Sequence, residues 1–126
     1  NNLNYQHYDV TEPETADYND EMRLQLVKDF ANEKNFNFYH FTDQQFMGLF
    51  YHTSKIFDLV HFDGPHMTRD IMREAMWFAD KSRKGTRFVF DDCGFFDIEA
   101  TTKMLNYWNF QVFESGKHKV CLQREL

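Results

Sequence analysis

Apolar and polar positions change period several times along the chain. Residues 4–10, NYQHYDV, and 36–41, FNFYHF, read as strands, the second alternating and rich in aromatics. Between them, TEPETADYND carries Pro13 and several turn formers. Asp20 then suits the cap of a helix through about Lys34, with Met22, Leu26, Val27 and Phe30 on one helical face. Residues 43–55 predict a short helix carrying Phe46, Met47, Leu49 and Phe50, and IFDLVHF, 56–62, predicts a strand. A helix is expected over 67–83, with Ile71, Ala75, Met76 and Phe78 on one face, Arg69 and Arg73 on another, and Gly85 as its C-terminal cap. TRFVF, 86–90, is the next strand, and 97–109 the next helix, with Asp97 near its N-cap. The chain closes on FQVFESGKHKVCLQR, two strands turning at Ser115-Gly116.

Strands and helices therefore take turns, and a hairpin follows. That order predicts an α/β fold: a Rossmann-like, mostly parallel sheet with helices on both faces and a C-terminal antiparallel hairpin. At 126 residues, a single domain over 1–126 is expected.

Composition narrows the setting. Hydrophobic residues make up 42% and include fifteen Phe, enough for a sizeable core. No apolar run approaches the roughly 18 residues of a membrane span, so no membrane partner is expected. Cys93 and Cys121 form no CxxC or zinc pattern and fit a reducing, cytoplasmic setting, or simply buried small side chains. The net charge is −6. Six acids fall in residues 9–21, and without them fourteen acids (20 − 6) balance fourteen basic residues. No basic stripe suited to nucleic acid remains.

Acids stand at the strand ends, where open α/β sheets bind ligands: Asp9, Asp43, Asp63, and Asp91 with Asp92. A single acid there is commonly a cap or turn former. If the strands before Asp63 and Asp91-Asp92 are parallel neighbours, three carboxylates converge. Such a cluster is expected to hold a proton or a cation, and its oxygens suit Mg²⁺, Ca²⁺ or Mn²⁺. His66, three residues after Asp63 in FDGPH, is placed to accept a substrate proton. The bland alternative is a turn, with Asp92 as a cap. Strand histidines such as His40 and His61 read as core or lining residues, and no HxxxH or HxH pair suggests zinc hydrolysis. A receiver-like phosphoacceptor fits poorly, because the acidic pair comes late and no Lys follows the last parallel strand.

FDLVHFDGPH, a helix, and then KGTRFVFDD resemble class I S-adenosylmethionine-dependent methyltransferases, most closely the metal-dependent O-methyltransferases of the macrolide-sugar and catechol types. The separation 91 − 63 = 28 residues is what one helix and one strand require. The resemblance covers residues 36–126 well and 4–35 loosely. It implies that Asp63, Asp91 and Asp92 hold Mg²⁺ or a similar divalent ion. It also implies that Asp63 and His66 are catalytic, with His66 as the general base toward a small-molecule hydroxyl. Asp43 matches the contact to adenine, Asp9 the contact to the ribose hydroxyls, and Phe62 a place beside the methionine part of the donor. Phe95 and Phe96 are candidate walls for the acceptor.

The family's first strand and its glycine-rich loop have no counterpart. The glycines are 48, 64, 85, 94 and 116, and no GxG occurs. With a start at Asn-Asn-Leu, the expectation is an N-terminally truncated methyltransferase fold. Unusual strand pairing or a homodimer would then cover its exposed edges. The competing expectation is a non-catalytic domain of the same fold, acting as a binding or assembly partner.

Overall fold

The computed structural model describes residues 5–9, 25, 28, 29 and 36–126. The chain divides into two compact units, Asn1–Tyr51 and His52–Leu126. The side chain of Asp9 and most of the helix expected after Asp20 lie outside the described residues, although Gln25, Lys28 and Asp29 are helical.

In the first unit, strand β1 (Tyr5–Asp9) pairs in parallel with β2 (Phe36–His40), Tyr5 opposite Phe36 and Asp9 opposite His40. Helix α1 (Asp43–Leu49) follows. Thr42 Oγ1 accepts from the Gln45 backbone N–H at 3.1 Å, and Gln45 Oε1 accepts from the Thr42 N–H at 2.9 Å. This reciprocal cap satisfies two donors that a helix start leaves free. Phe46 and Met47 face inward, and the Tyr39 ring meets Phe46 and Phe50 edge-on. The helix is shorter than the pattern of residues 43–55 predicts. At its end the Tyr51 N–H turns to the Gly48 carbonyl at 3.5 Å, an i→i−3 bond that tightens the last turn.

The second unit is a four-stranded sheet in the order β3-β4-β6-β5. It is formed by β3 (Leu59–Phe62), β4 (Arg87–Phe90), β5 (Phe110–Ser115) and β6 (Val120–Arg124). β3 and β4 are parallel, while β6 runs antiparallel to both β4 and β5. Helix α2 (Thr68–Ala79) connects β3 to β4, α3 (Ile98–Leu105) leads from β4 toward β5, and the two helices pack on each other. Side chains alternate across a strand. One face of the sheet thus presents Val60, Phe62, Phe88, Phe90, Phe110 and Leu122 to a core shared with Ile71, Ala75, Phe78 and Leu105. The Phe62 and Phe90 rings stack at 4.5 Å, and Phe88 stacks on Phe110 at 4.4 Å.

Asp97 caps α3 as its position predicts, accepting from the Ala100 N–H at 3.0 Å. The expectation for Gly85 needs correction. α2 ends at Ala79, where the Ser82 hydroxyl donates to the Ala79 carbonyl at 2.6 Å and occupies an acceptor that the helix end leaves free. Gly85 serves instead in the turn into β4. Its φ of 91° is one that side chains resist, and its N–H donates to the Arg124 carbonyl at 2.8 Å. The terminal hairpin turns one residue later than expected: Ser115 still pairs with Val120, and residues 116–119 make the turn, closed by the Gly116 N–H on the Lys119 carbonyl. No helix among the described residues is long and apolar enough to cross a membrane.

Candidate active site

Register builds the site. Partners on β3 and β4 differ by 28 in number throughout, from Leu59 with Arg87 to Phe62 with Phe90 (90 − 62 = 28). One step further sets Asp63 beside Asp91, and the Asp91 N–H donates to the Phe62 carbonyl at 3.1 Å. On the other side of β4, Phe90 lies opposite Val120 of β6. One antiparallel step brings Lys119 to Asp91, with Nζ 3.5 Å from Oδ2.

Alternation then decides which side chains meet. Val60, Phe62, Phe88 and Phe90 are committed to the core, so His61 and Asp63 share the opposite face with Val89 and Asp91. The ligand atoms of His61, Asp63 and Asp91 all lie within 4.8 Å of one another. His61 Nε2 stands 3.9 Å from Asp91 Oδ2.

Asp92 takes a separate path. Its φ of 55° is left-handed, a conformation Asp tolerates better than most residues, and it turns the chain out of β4. Asp92 Oδ2 stands 3.1 Å from His66 Nε2. An ionised carboxylate only accepts, so this contact places the proton of a neutral His66 on Nε2 and leaves Nδ1 as its basic nitrogen. Phe95, largely exposed, stacks on the His66 ring at 5.1 Å and 24°.

The electrostatics follow from these contacts. The Asp92 backbone N–H, 2.8 Å from Asp91 Oδ1, is the chief cause of an Asp91 carboxyl held below the usual carboxylate range. Partial burial opposes this, and the Lys119 ammonium and His61 reinforce it. Burial pushes the Cys93 thiol up, with the Asp91 and Asp92 charges adding to it. Cys93 donates its S–H to the Phe90 carbonyl at 3.3 Å.

Of the residues expected from sequence, Asp63 and Asp91 come together and Asp92 and His66 form a pair beside them. Phe62 is 5% exposed, its ring packed among Phe78, Phe88 and Phe90, so only its backbone reaches the strand end. Asp43 opens α1, half-buried, and accepts from the Gln44 N–H at 2.7 Å. Asp9 ends β1. Lys119 was not expected at the site, and His61 was expected only as a core or lining residue. The strand alternation in FDLVHF is the signal for His61, since it puts that residue in step with Asp63. Lys119 had no local signal, because its place depends on the pairing of β6 with β4.

No family model matches this sequence, and no curated protein matches it. Among solved structures, the chain is similar to the Methanococcus jannaschii fibrillarin pre-rRNA processing protein, at 10% identity and a TM-score of 0.58. The alignment covers 96% of this chain and 56% of that one, so this chain spans little more than half the length of that protein. The likeness is one of fold, a Rossmann-like α/β arrangement.

Proposed function

We propose that this chain is part of an S-adenosylmethionine-dependent O-methyltransferase that methylates a hydroxyl of a small molecule with the help of a divalent metal ion. One observation carries the reading. At the carboxyl ends of two neighbouring parallel strands, where such sheets bind ligands, Asp63 and Asp91 meet beside a second pair, His66 with Asp92. The fold likeness supports methyl transfer as the reaction class.

In this reading His66 takes the proton of the acceptor hydroxyl at Nδ1, while Asp92 holds the ring through Nε2 and stabilises the imidazolium that forms. The acceptor oxygen forms its bond to the sulfonium methyl as the carbon–sulfur bond breaks, and S-adenosylhomocysteine leaves. Asp63 and Asp91 would hold the cation, which would lower the pKa of the reacting hydroxyl. Phe95, stacked on His66, offers an apolar wall to the acceptor. Asp43, which opens α1, and Asp9, which ends β1, are the proposed contacts to the adenine and ribose of the donor. A small acceptor suits a chain of net charge −6 better than RNA does.

The absence of any GxG in the sequence favours a second reading, a methyltransferase-fold domain that binds or assembles without turning over. Calorimetry with S-adenosylmethionine, with and without Mg²⁺, separates the two. Donor binding and label transfer from methyl-labelled donor to a vicinal diol or catechol acceptor support the enzyme. No heat under either condition refutes catalysis by this chain. Asp63→Asn and His66→Ala are expected to abolish transfer, and wild-type turnover in both would remove these residues from the mechanism.

A further inference from the structure

We propose that His61 is a nitrogen ligand that makes this site select a first-row transition-metal ion over Mg²⁺. The inference rests on the reading that a divalent ion sits at Asp63 and Asp91, and it names the third protein ligand and the class of ion.

The donor set is the first reason. Carboxylate and water oxygens alone suit Mg²⁺ or Ca²⁺, whereas an imidazole nitrogen moves preference toward Mn²⁺, Fe²⁺, Co²⁺ or Zn²⁺. In this chain the third group beside Asp63 and Asp91 is His61, not Asp92. Asp92, turned out of β4 by its left-handed backbone, is engaged by His66 at 3.1 Å.

Distance is the second. Metal–nitrogen and metal–oxygen bonds of about 2.1 Å allow donors on one ion to stand up to about 4.2 Å apart. His61 Nε2 and Asp91 Oδ2, at 3.9 Å, already satisfy this. His61 and Asp63 are exposed, so a small side-chain rotation brings the widest spacing, within 4.8 Å, into range. Three protein ligands leave positions for water or for acceptor oxygens.

Lys119 is the internal competitor. Its ammonium stands 3.5 Å from the same Asp91 Oδ2, and an ion taking that oxygen must displace it. A doubly charged ion between two carboxylates outweighs one exposed ammonium near a single carboxylate.

The test uses the full chain with Co²⁺ and Mg²⁺, without donor or acceptor, read by titration calorimetry and by the Co²⁺ visible spectrum. Co²⁺ is expected to bind at least about tenfold more tightly than Mg²⁺. His61→Ala should lose that preference and change the Co²⁺ spectrum while leaving Mg²⁺ affinity in place. His118→Ala, an exposed histidine near Lys119, should change neither. His61 is nearly half exposed, so its truncation leaves the core intact, checked by thermal melting. Equal affinities for the two ions, unchanged in His61→Ala, would overturn the role of His61 while the metal-assisted reading stands. No binding of either ion would overturn both.

Discussion

Phe62→Ala separates a core role for this ring from a place beside the methyl donor. The side chain is 5% exposed. It stacks on Phe90 at 4.5 Å with ring planes 6° apart, and meets Phe88 at 5.2 Å and Phe78 at 5.8 Å edge-on. Truncating a buried Phe to Ala costs about 3–5 kcal/mol, from lost transfer energy plus the cavity left behind. Three aromatic neighbours that cannot all collapse into the space put this site toward the upper part of that range. A domain of this size has on the order of 5–15 kcal/mol in total, so a third or more of the stability is at stake. With a urea m-value of about 2 kcal/mol/M, the midpoint falls by roughly 2 M. Phe62→Leu keeps most of the volume and is expected to cost about 1–2 kcal/mol, mostly from lost ring contacts. Equilibrium urea unfolding at pH 7, followed by near-ultraviolet circular dichroism, measures both. The folded Phe62→Leu variant should bind S-adenosylmethionine as the wild type does. A midpoint shift below about 0.3 M for Phe62→Ala would refute the core assignment, since ~0.6 kcal/mol is what an exposed ring would lose.

The lowered pKa of Asp91 carries a sign. Its folded-state value lies below the unfolded one, so its pairing adds stability above the usual carboxylate range, and that contribution is lost as pH falls through the lowered value. Asp91→Asn should therefore destabilise the protein near neutrality and flatten the decline of the urea midpoint below about pH 4. An unchanged decline would show that Asp91 is not held by its neighbours. Cys93, with its thiol pushed up by burial, should react with a disulfide reagent near pH 8 more slowly than free cysteine does. Labelling as fast as in the unfolded chain would contradict this. Asp97→Ala removes the cap of α3 and should cost about 1 kcal/mol by thermal melting, while Asp97→Asn should recover most of it.

Several features were legible because they are local. The cap at Asp97, the hairpin near Gly116 and the buried positions Ile71, Ala75 and Phe78 of α2 each depend on neighbours a few residues away, although Met76, expected on the same face, is exposed. The 28-residue spacing of Asp63 and Asp91 was legible too, because one helix and one strand return the chain by a nearly constant number of residues. The end of α2 was not. Gly85 looked like its cap, but the Ser82 hydroxyl had already closed the helix at Ala79.

The same division runs through the site. The amino-acid sequence by itself determined that carboxylates stand at the ends of two apolar strands, with a histidine just beyond the first. It could not decide which of those groups face one another. That choice belongs to the tertiary structure, because it depends on which face of the sheet the Phe residues bury. With Phe62 and Phe90 turned inward, alternation sends His61, Asp63 and Asp91 to one side, and the left-handed turn at Asp92 brings it to His66. The antiparallel register of β6 then adds Lys119, a residue 28 positions from Asp91 by number (119 − 91) and one step away across the sheet.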